Sequence, residues 1–299
     1  MHIPDMMIQG AVCPVTGALA AVGVAGAVYA AYKTKVKPAA SLFAGVTALI
    51  FASQMANFPI HLGTSGHLLG ATLAVALLGS AFGIMAMSLV VVAQCLVFAD
   101  GGISVLGANL LNIALIASLP AVLVREWFHA NKTAYCAAAF VSTIIAAAAC
   151  AVQLAIAGAA PLSSVLPAML SIHVLIALAE AGLTLALLAV LAYAATKVAP
   201  QRAWMVPLGI ASVVAVIVSP FASSLPDGLE SVATALGFEP LAGTLFAPPF
   251  AEYTVVAART SEILSTALAG FMGVALMFAV AYGTGRAFVR SKERVTGSL

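Results

Sequence analysis

The stretch from residue 163 to residue 195 reads SSVLPAMLSIHVLIALAEAGLTLALLAVLAYAA, and its one charged residue is Glu180. A helix needs about 20 predominantly apolar residues to cross the hydrocarbon core of a bilayer, so this stretch is long enough for one crossing. Of the 299 residues in the chain, 63% are hydrophobic and 7% are charged, whereas soluble domains have roughly 25% charged residues. The sequence therefore predicts an all-α polytopic membrane protein.

Apolar segments of similar character recur along the chain, and we expect about nine transmembrane helices. The segments are 11–32, 39–58, 66–80, 82–98, 103–124, 133–158, 163–195, 203–222 and 265–288. The two between residues 66 and 98 are the shortest, and the glycines at 79 and 83 mark their expected division. Alanine, glycine and serine are frequent throughout, which suits close packing of helices in lipid.

Lysine and arginine predict the orientation, because cytoplasmic loops are enriched in these residues. Three lysines follow the first segment, so that end is expected to be cytoplasmic, with the N-terminus outside and the C-terminus cytoplasmic. Nine crossings place these basic residues inside: Lys33, Lys35, Lys37, Arg125, Lys132, Lys197, Arg202, Arg286, Arg290, Lys292 and Arg294. Arg259 falls outside, together with these acidic residues: Asp5, Asp100, Asp227, Glu230, Glu239, Glu252 and Glu262. Eight crossings would break this separation.

The chain starts Met1-His2-Ile3-Pro4-Asp5, which places a free amine directly before a histidine. The Met1 amine, the amide nitrogen of His2 and the His2 imidazole can close a five-membered and a six-membered ring around one cation. Nitrogen ligands in a tetragonal arrangement suit Ni(II) or Cu(II) and would also hold Co(II). The chelate requires that Met1 is retained, and the bulky His2 disfavours its removal. Taken alone, this start favours the simpler interpretation of an unstructured terminus that bears one solvated histidine.

A fourth nitrogen is expected from the connection between the second and third segments, which lies on the same outer face. Gly63 and Gly66 flank Thr-Ser there and permit a tight turn, and His67 opens the third segment. We predict His67 as the fourth ligand. His61 is an alternative, for the fourth corner or for an axial position, although a solvated loop histidine is its simpler interpretation.

Polar residues follow the fourth segment, in the run that begins Asp100-Gly101-Gly102. Asn109 and Asn112 are three residues apart and share a helix face. Together with Asp100 they are candidates to hydrogen-bond the N-terminal segment or the 59–66 connection and to hold the ligands in place. Ordinary hydrogen bonding between helices is the alternative interpretation.

These motifs resemble the CbiM/NikM family, the substrate-binding component of energy-coupling factor (ECF) transporters for nickel and cobalt, over about residues 1–200. The ligands in that family are the terminal amine, the amide and imidazole of residue 2 and a later histidine, which map onto Met1, His2 and His67. The resemblance implies uptake of Ni²⁺ or Co²⁺ across a bacterial or archaeal cytoplasmic membrane, with a membrane coupling (T) subunit and ABC-type ATPase subunits. Met6 replaces the glycine of the more familiar MHIPDG start.

Residues 201–299 have a different character, with a segment at 203–222 followed by Pro226-Asp227-Gly228-Leu229-Glu230. Pro-Asp-Gly predicts a turn, and Leu-Glu the start of a short amphipathic helix. A polar outer stretch to about Glu262 and a last crossing follow. This region resembles the PDGLE domain of NikN, the small two-span partner in nickel systems. The chain therefore resembles a NikM–NikN fusion, which favours nickel over cobalt.

His173 and Glu180 are seven residues apart on one face of the seventh predicted helix. An intramembrane carboxylate indicates a functional site by default, so a proton-coupled secondary carrier that uses Glu180 is an alternative to a structural or coupling role. A membrane metal sensor or metalloenzyme with the same ligands is a second alternative. The sequence has no GxxxxGK[ST] phosphate-binding loop. We expect a non-enzymatic component that contacts membrane lipid and has no nucleic-acid partner.

Overall fold

The computed structural model describes residues 1–61, 63–128, 130–243, 245–246, 248–255 and 261–296, with side chains to residue 288. Seven helices in this described part are long and apolar enough to cross a membrane: α1 (Val12–Lys33), α4 (Ser80–Phe98), α5 (Leu106–Trp127), α6 (Lys132–Ile156), α7 (Leu162–Ala195), α8 (Pro200–Phe221) and α10 (Glu262–Thr296). Shorter helices are α2 (Ala40–Met55), α3 (Ala71–Leu78) and α9 (Gly228–Leu236). Strands β1 (Phe58–His61) and β2 (Thr64–Gly66) form an antiparallel hairpin.

Seven of the nine predicted segments form helices long and apolar enough to span a membrane, and the other two form shorter helices. The segment 39–58 forms only the 16 residues of α2, and the segment 66–80 forms only the 8 residues of α3. At 1.5 Å per residue these helices are about 24 and 12 Å long, whereas the hydrocarbon core is about 30 Å thick. The number of crossings and the orientation of the termini therefore stay predictions. Arg259 and the side chains of Arg290, Lys292 and Arg294 lie outside the described residues.

Helix α3 is short because residues 67–70, although mostly apolar, are not helical. The backbone N–H groups of Leu69 and Gly70 donate to the carboxylate of Glu180 at 2.6 and 2.9 Å. The side chain of Gln54 donates to the carbonyl of Leu69 at 2.6 Å. Non-helical backbone is tolerated inside a membrane protein where buried groups satisfy it. The prediction of a continuous helix over 66–80 is therefore wrong. The backbone groups of residues 69 and 70 bond to distant side chains and not to other groups of the same helix.

The chain reverses direction between α3 and α4 at Gly79, one of the two glycines that were predicted to divide these segments. Gly79 has a φ of +86°, which glycine adopts without steric cost. After the reversal, Gly83 of α4 packs directly on Val75 of α3, where a Cβ atom would lie 2.7 Å from the backbone nitrogen. The two helices therefore form a tight antiparallel pair.

The connection predicted as a tight glycine turn is a β-hairpin, which corrects the expectation of a purely α-helical chain. Gly63, next to the turn, has the positive φ of +75° expected for it. Gly66 has a different role, because a Cβ atom there would lie 2.7 Å from Cδ1 of Ile60. The hairpin leads directly into His67.

The centre of the bundle is α2, in which every residue from Phe43 to Met55 is buried. Helices α8 and α10 of the C-terminal region pack on it. Gly45 permits a close approach of α8, since a Cβ atom there would lie 2.7 Å from the carbonyl oxygen of Trp204. Small residues allow such contacts between helices in lipid. The C-terminal region is therefore packed against the core of the first 200 residues.

Candidate metal site

The structure brings the N-terminus into the protein beside His67. The imidazole rings of His2 and His67 are stacked, with centroids 5.8 Å apart and 19° between their planes. Met1 and His2 are only 7% and 8% exposed. An unstructured terminus with a solvated histidine, which the sequence alone allows, is not what the structure shows.

One ring nitrogen of His67 is free to bind a cation. Its Nδ1 lies 3.0 Å from the carbonyl oxygen of Leu68, and a carbonyl can only accept, so Nδ1 carries the proton and Nε2 a lone pair. A hydrogen bond of this kind orients a metal-binding histidine. Burial, followed by the positive charges of the terminal amine and His2, lowers the pKa of His67 to about 4. The ring is therefore neutral near pH 7, as metal binding requires.

His2 is held by Asp100, at 2.9 Å between Nδ1 and Oδ1. The other oxygen of Asp100 accepts from the hydroxyl of Tyr253 at 2.6 Å. Burial alone would raise the pKa of Asp100, but the charge and hydrogen bond of His2 and the hydroxyl of Tyr253 hold it well below its usual range. The six-membered chelate ring needs Nδ1 of His2, so an ion bound there replaces this contact with the carboxylate.

The terminal amine of Met1 forms an ion pair with Oδ2 of Asp227. Burial alone would lower the pKa of this amine, but the charge and hydrogen bond of Asp227 outweigh burial and raise it above 8.0. In return, burial would raise the pKa of Asp227, and the amine holds it at about 2. The local sequence around Asp227 predicts only a turn on the outer face, so this contact was not expected.

The N-terminal segment is fixed by the residues that follow α4. The N–H of Ile3 donates to Oδ1 of Asn109 at 2.8 Å, and Nδ2 of Asn109 donates to the Ile3 carbonyl at 3.0 Å. The carboxylate of Asp5 accepts from the N–H and hydroxyl of Ser104 at 2.8 and 2.7 Å. Gly102 also donates to the Ile3 carbonyl at 2.9 Å. These bonds lock the backbone immediately after His2.

Met6, which stands where the more familiar start has glycine, has a φ of +67°. This left-handed conformation favours glycine and is uncommon for other residues. The turn after Asp5 therefore keeps a backbone shape that suits glycine. The Met6 side chain is 45% exposed and does not line the small cavity beside Met1.

Asn112 and His61 lie away from the two stacked rings. Asn112 exchanges two hydrogen bonds with Gln153 of α6, at 2.9 and 2.7 Å, which makes it part of an interhelical amide pair. His61 is exposed at the end of β1 and does not line the cavity beside Met1 and His67. Of the auxiliary residues predicted around the ligands, the structure places Asp100 and Asn109 against the N-terminal segment.

A cavity of about 20 Å³ adjoins the amine, and its lining includes Met1, His67, His173, Asp227 and Gly228. Nδ1 of His173 donates to the carbonyl of Met169 at 2.7 Å. Its Nε2 is buried and has no hydrogen-bond partner in the part of the chain that the structure describes. Glu180, by contrast, binds the backbone of Leu69 and Gly70 and so secures the chain just after His67.

Side chains alone do not make a metal site here. Within the described ranges, no group of three or more His, Cys, Asp or Glu side chains is arranged to hold an ion. A cation between His2 and His67 therefore needs further donors, and the terminal amine and the His2 amide are the adjacent nitrogens.

Comparisons with known proteins identify the family to which this chain is similar. The family model described as "Cobalt uptake substrate-specific transmembrane region" (CbiM) matches residues 2–201, and the PDGLE domain matches residues 201–290. The fused nickel transport protein NikMN of Archaeoglobus fulgidus is 33% identical over 298 residues, which cover 96% of this chain and 98% of that protein. The fused nickel transport protein LarMN of Lactiplantibacillus plantarum is 32% identical over 59% of this chain and 60% of its own length.

A solved structure of a transition metal transporter is also similar, over about two thirds of the chain. The crystal structure of a truncated transition metal transporter aligns with a TM-score of 0.56 and 28% identity, over 64% of this chain and 99% of the other. These matches confirm the resemblance found in the sequence. The chain belongs to the CbiM family of cobalt and nickel uptake proteins, multi-pass membrane transporters, and carries a PDGLE domain in the same polypeptide.

Proposed function

We propose that this chain binds Ni²⁺ or Co²⁺ through four nitrogens: the Met1 amine, the His2 amide, Nδ1 of His2 and Nε2 of His67. The observation that carries the proposal is the stacking of two histidines, 5.8 Å between centroids, beside a buried terminal amine. Bonds from such metals to imidazole nitrogen are about 2 Å long, so one ion can bridge the two rings. Nickel is favoured, because the two fused relatives, NikMN and LarMN, are named as nickel transport proteins.

The charges around these nitrogens suit a cation. Asp100 lies on the His2 side and Asp227 on the amine side, and both are carboxylates with depressed pKa values. The neutral His67 adds a lone pair without adding a positive charge. An entering divalent ion therefore meets two negative charges and the neutral His67, and it displaces the proton of the Met1 amine.

Transport is proposed to run from the outer face to the cytoplasm of a bacterial or archaeal cell. The sequence contains no GxxxxGK[ST] loop, so ATP-driven uptake requires ATPase subunits and a membrane coupling subunit, as in ECF transporters. The two hydrogen bonds from Leu69 and Gly70 to Glu180 support a role in positioning His67. They give no support to the proton-coupled carrier or to a sensor or enzyme.

The proposal is tested by moving the amine while every side chain stays. Two residues, Gly-Ser, are placed before Met1, because a single added residue would put His2 third in the chain, where it forms a chelate of its own. We expect nickel affinity, measured by calorimetry on the purified protein, to fall at least about a hundredfold. Thermal unfolding of the metal-free variant checks that it folds. Unchanged nickel binding in a folded variant would place the site elsewhere.

A further inference from the structure

A short segment at the N-terminus of α9 lies directly against the candidate site. It consists of Pro226, the N-cap Asp227 and the first three helical residues, Gly228, Leu229 and Glu230. We propose that this segment, which we name the PDGLE clamp, positions two of the metal ligands, the Met1 amine and His67, within the same chain. The inference rests on the proposed function and assigns a task to the C-terminal domain.

One arm of the clamp holds the strand that leads to His67. Ser65, fully buried in β2, donates its N–H to the carbonyl of Pro226 at 2.8 Å. Its hydroxyl donates to the carbonyl of Leu225 at 2.7 Å. Thr64 adds a hydrogen bond to the hydroxyl of Ser231 at 3.0 Å. Because Ser65 is two residues before His67, these bonds fix the position from which the His67 ring extends.

The other arm holds the amine, and the two carboxylate oxygens of Asp227 have different partners. Oδ1 caps α9, since it accepts from the N–H groups of Leu229 and Glu230 at 2.7 and 2.9 Å. Glu230 completes a capping box by accepting from the N–H of Asp227 at 2.8 Å. These bonds fix the carboxylate, so that Oδ2 is already in place for the Met1 amine. A chain end that would otherwise be mobile is thus ordered before an ion arrives.

Gly228 lets the clamp close on α7. A Cβ atom at this position would lie 2.7 Å from Cε1 and 3.0 Å from Nε2 of His173. Leu229, the next residue, is fully buried in the core. Four of the five clamp residues therefore have a distinct contact with the site or core, and Glu230 secures the cap.

Charge acts on the metal-free and the loaded site alike. A divalent ion bound by the amine, two imidazoles and a deprotonated amide leaves one net positive charge beside Asp227. The positive end of the α9 dipole also faces this point. A buried charge without a partner is strongly unfavourable, so the carboxylate of Asp227 stabilises the loaded site, just as it stabilises the protonated amine of the metal-free site. These two effects oppose each other, and the weaker metal binding expected without the carboxylate comes from loss of the fixed position of the amine.

Asp227→Asn separates the two tasks of this residue, because asparagine is as good an N-cap as aspartate. On the full chain in detergent, we expect the dissociation constant for Ni²⁺ to rise about tenfold to a hundredfold. In the metal-free variant, the Met1 amine should also react faster with an amine-reactive ester, followed by mass spectrometry. Glu239→Gln is the matched control, since it removes one negative charge from an exposed residue of the same domain, and it should bind nickel like the parent.

The outcomes separate the clamp from the proposed function. Parental nickel affinity in Asp227→Asn, with binding lost in His67→Ala and in the Gly-Ser extension, would overturn the clamp alone. Retained binding in all three would overturn both. If Asp227→Asn does not fold, Ser65→Ala tests the other arm. It removes the hydroxyl's hydrogen bonds to the carbonyls of Leu225 and Pro226, and affinity equal to that of the parent would contradict the clamp.

Discussion

Nε2 of His67 presents a lone pair beside the ring of His2 because the carbonyl of Leu68, 3.0 Å away, fixes the proton on Nδ1. The orientation of this histidine is therefore set by its own backbone. That backbone is held by Glu180 and Gln54, so the candidate site depends on contacts from α2 and α7 as well as on the N-terminus.

Replacement of His67 tests the ligand directly. His67→Ala removes one of four nitrogens, and we expect the affinity for Ni²⁺ to fall at least about a hundredfold, measured by calorimetry. His61→Ala removes an exposed histidine from the same hairpin region and serves as the control. Equal losses in the two variants would contradict the assignment of His67.

Glu180→Gln tests whether this carboxylate positions His67 or relays protons. The amide of glutamine can accept from only one of the N–H groups of Leu69 and Gly70, while its NH₂ group faces the other. We expect nickel affinity to fall about tenfold, as for the loss of a buried charged hydrogen bond. A proton-coupled carrier predicts the opposite pattern, in which binding is intact and uptake in cells is lost.

Gly102→Ala tests the packing of the N-terminal segment against the residues that follow α4. A Cβ atom at Gly102 would lie 2.6 Å from Cα of Asp5, so the segment must move. We expect a loss of about 1–3 kcal/mol in stability, as for overpacked cores, with weaker nickel binding. Gly26→Ala is the control, because nothing lies within 4 Å of its added Cβ. Thermal unfolding and calorimetry measure both effects.

Nickel affinity should rise with pH. The metal-free protein holds a proton on the Met1 amine, whose pKa is raised above 8.0, and the ion must displace it. Release of the amine proton and of the His2 amide proton makes binding about a hundredfold tighter for each pH unit below that pKa. His67, with a pKa of about 4, is already neutral and adds no slope near pH 7. A dissociation constant that stays level from about pH 6 to 8 would contradict amine coordination.

The same ion pair makes the stability of the metal-free protein depend on pH in two directions. The raised pKa of the amine gives stability that is present below 8.0 and is lost as pH rises through the raised value. The depressed pKa of Asp227 gives stability that is present above 3.8 and is lost as pH falls through about 2. Because Asp100 keeps its own depressed pKa, urea or thermal unfolding of Asp227→Asn should show a smaller acid step than the parent.

Helix α3 shows where prediction from the sequence fails. Its segment, 66–80, is apolar enough to be read as a crossing, but hydropathy does not report whether a backbone N–H finds its partner within the helix. In the structure, Glu180 supplies the partner for Leu69 and Gly70. The contact between Asp227 and Met1 has no signal in the sequence either, because the local pattern around Asp227 indicates only a turn and a cap.

Composition and motifs are sufficient to identify a helical membrane protein of the CbiM family with a PDGLE domain, and they predict Met1, His2 and His67 as metal ligands. Hydropathy is a property of composition, and a chelate between an amine and the next residue is set by covalent structure. The packed structure is needed to show that α3 begins at residue 71, that His67 lies beside the N-terminus and that Asp227 pairs with the Met1 amine. These depend on which distant groups satisfy buried polar atoms, and that choice is made only when the helices pack.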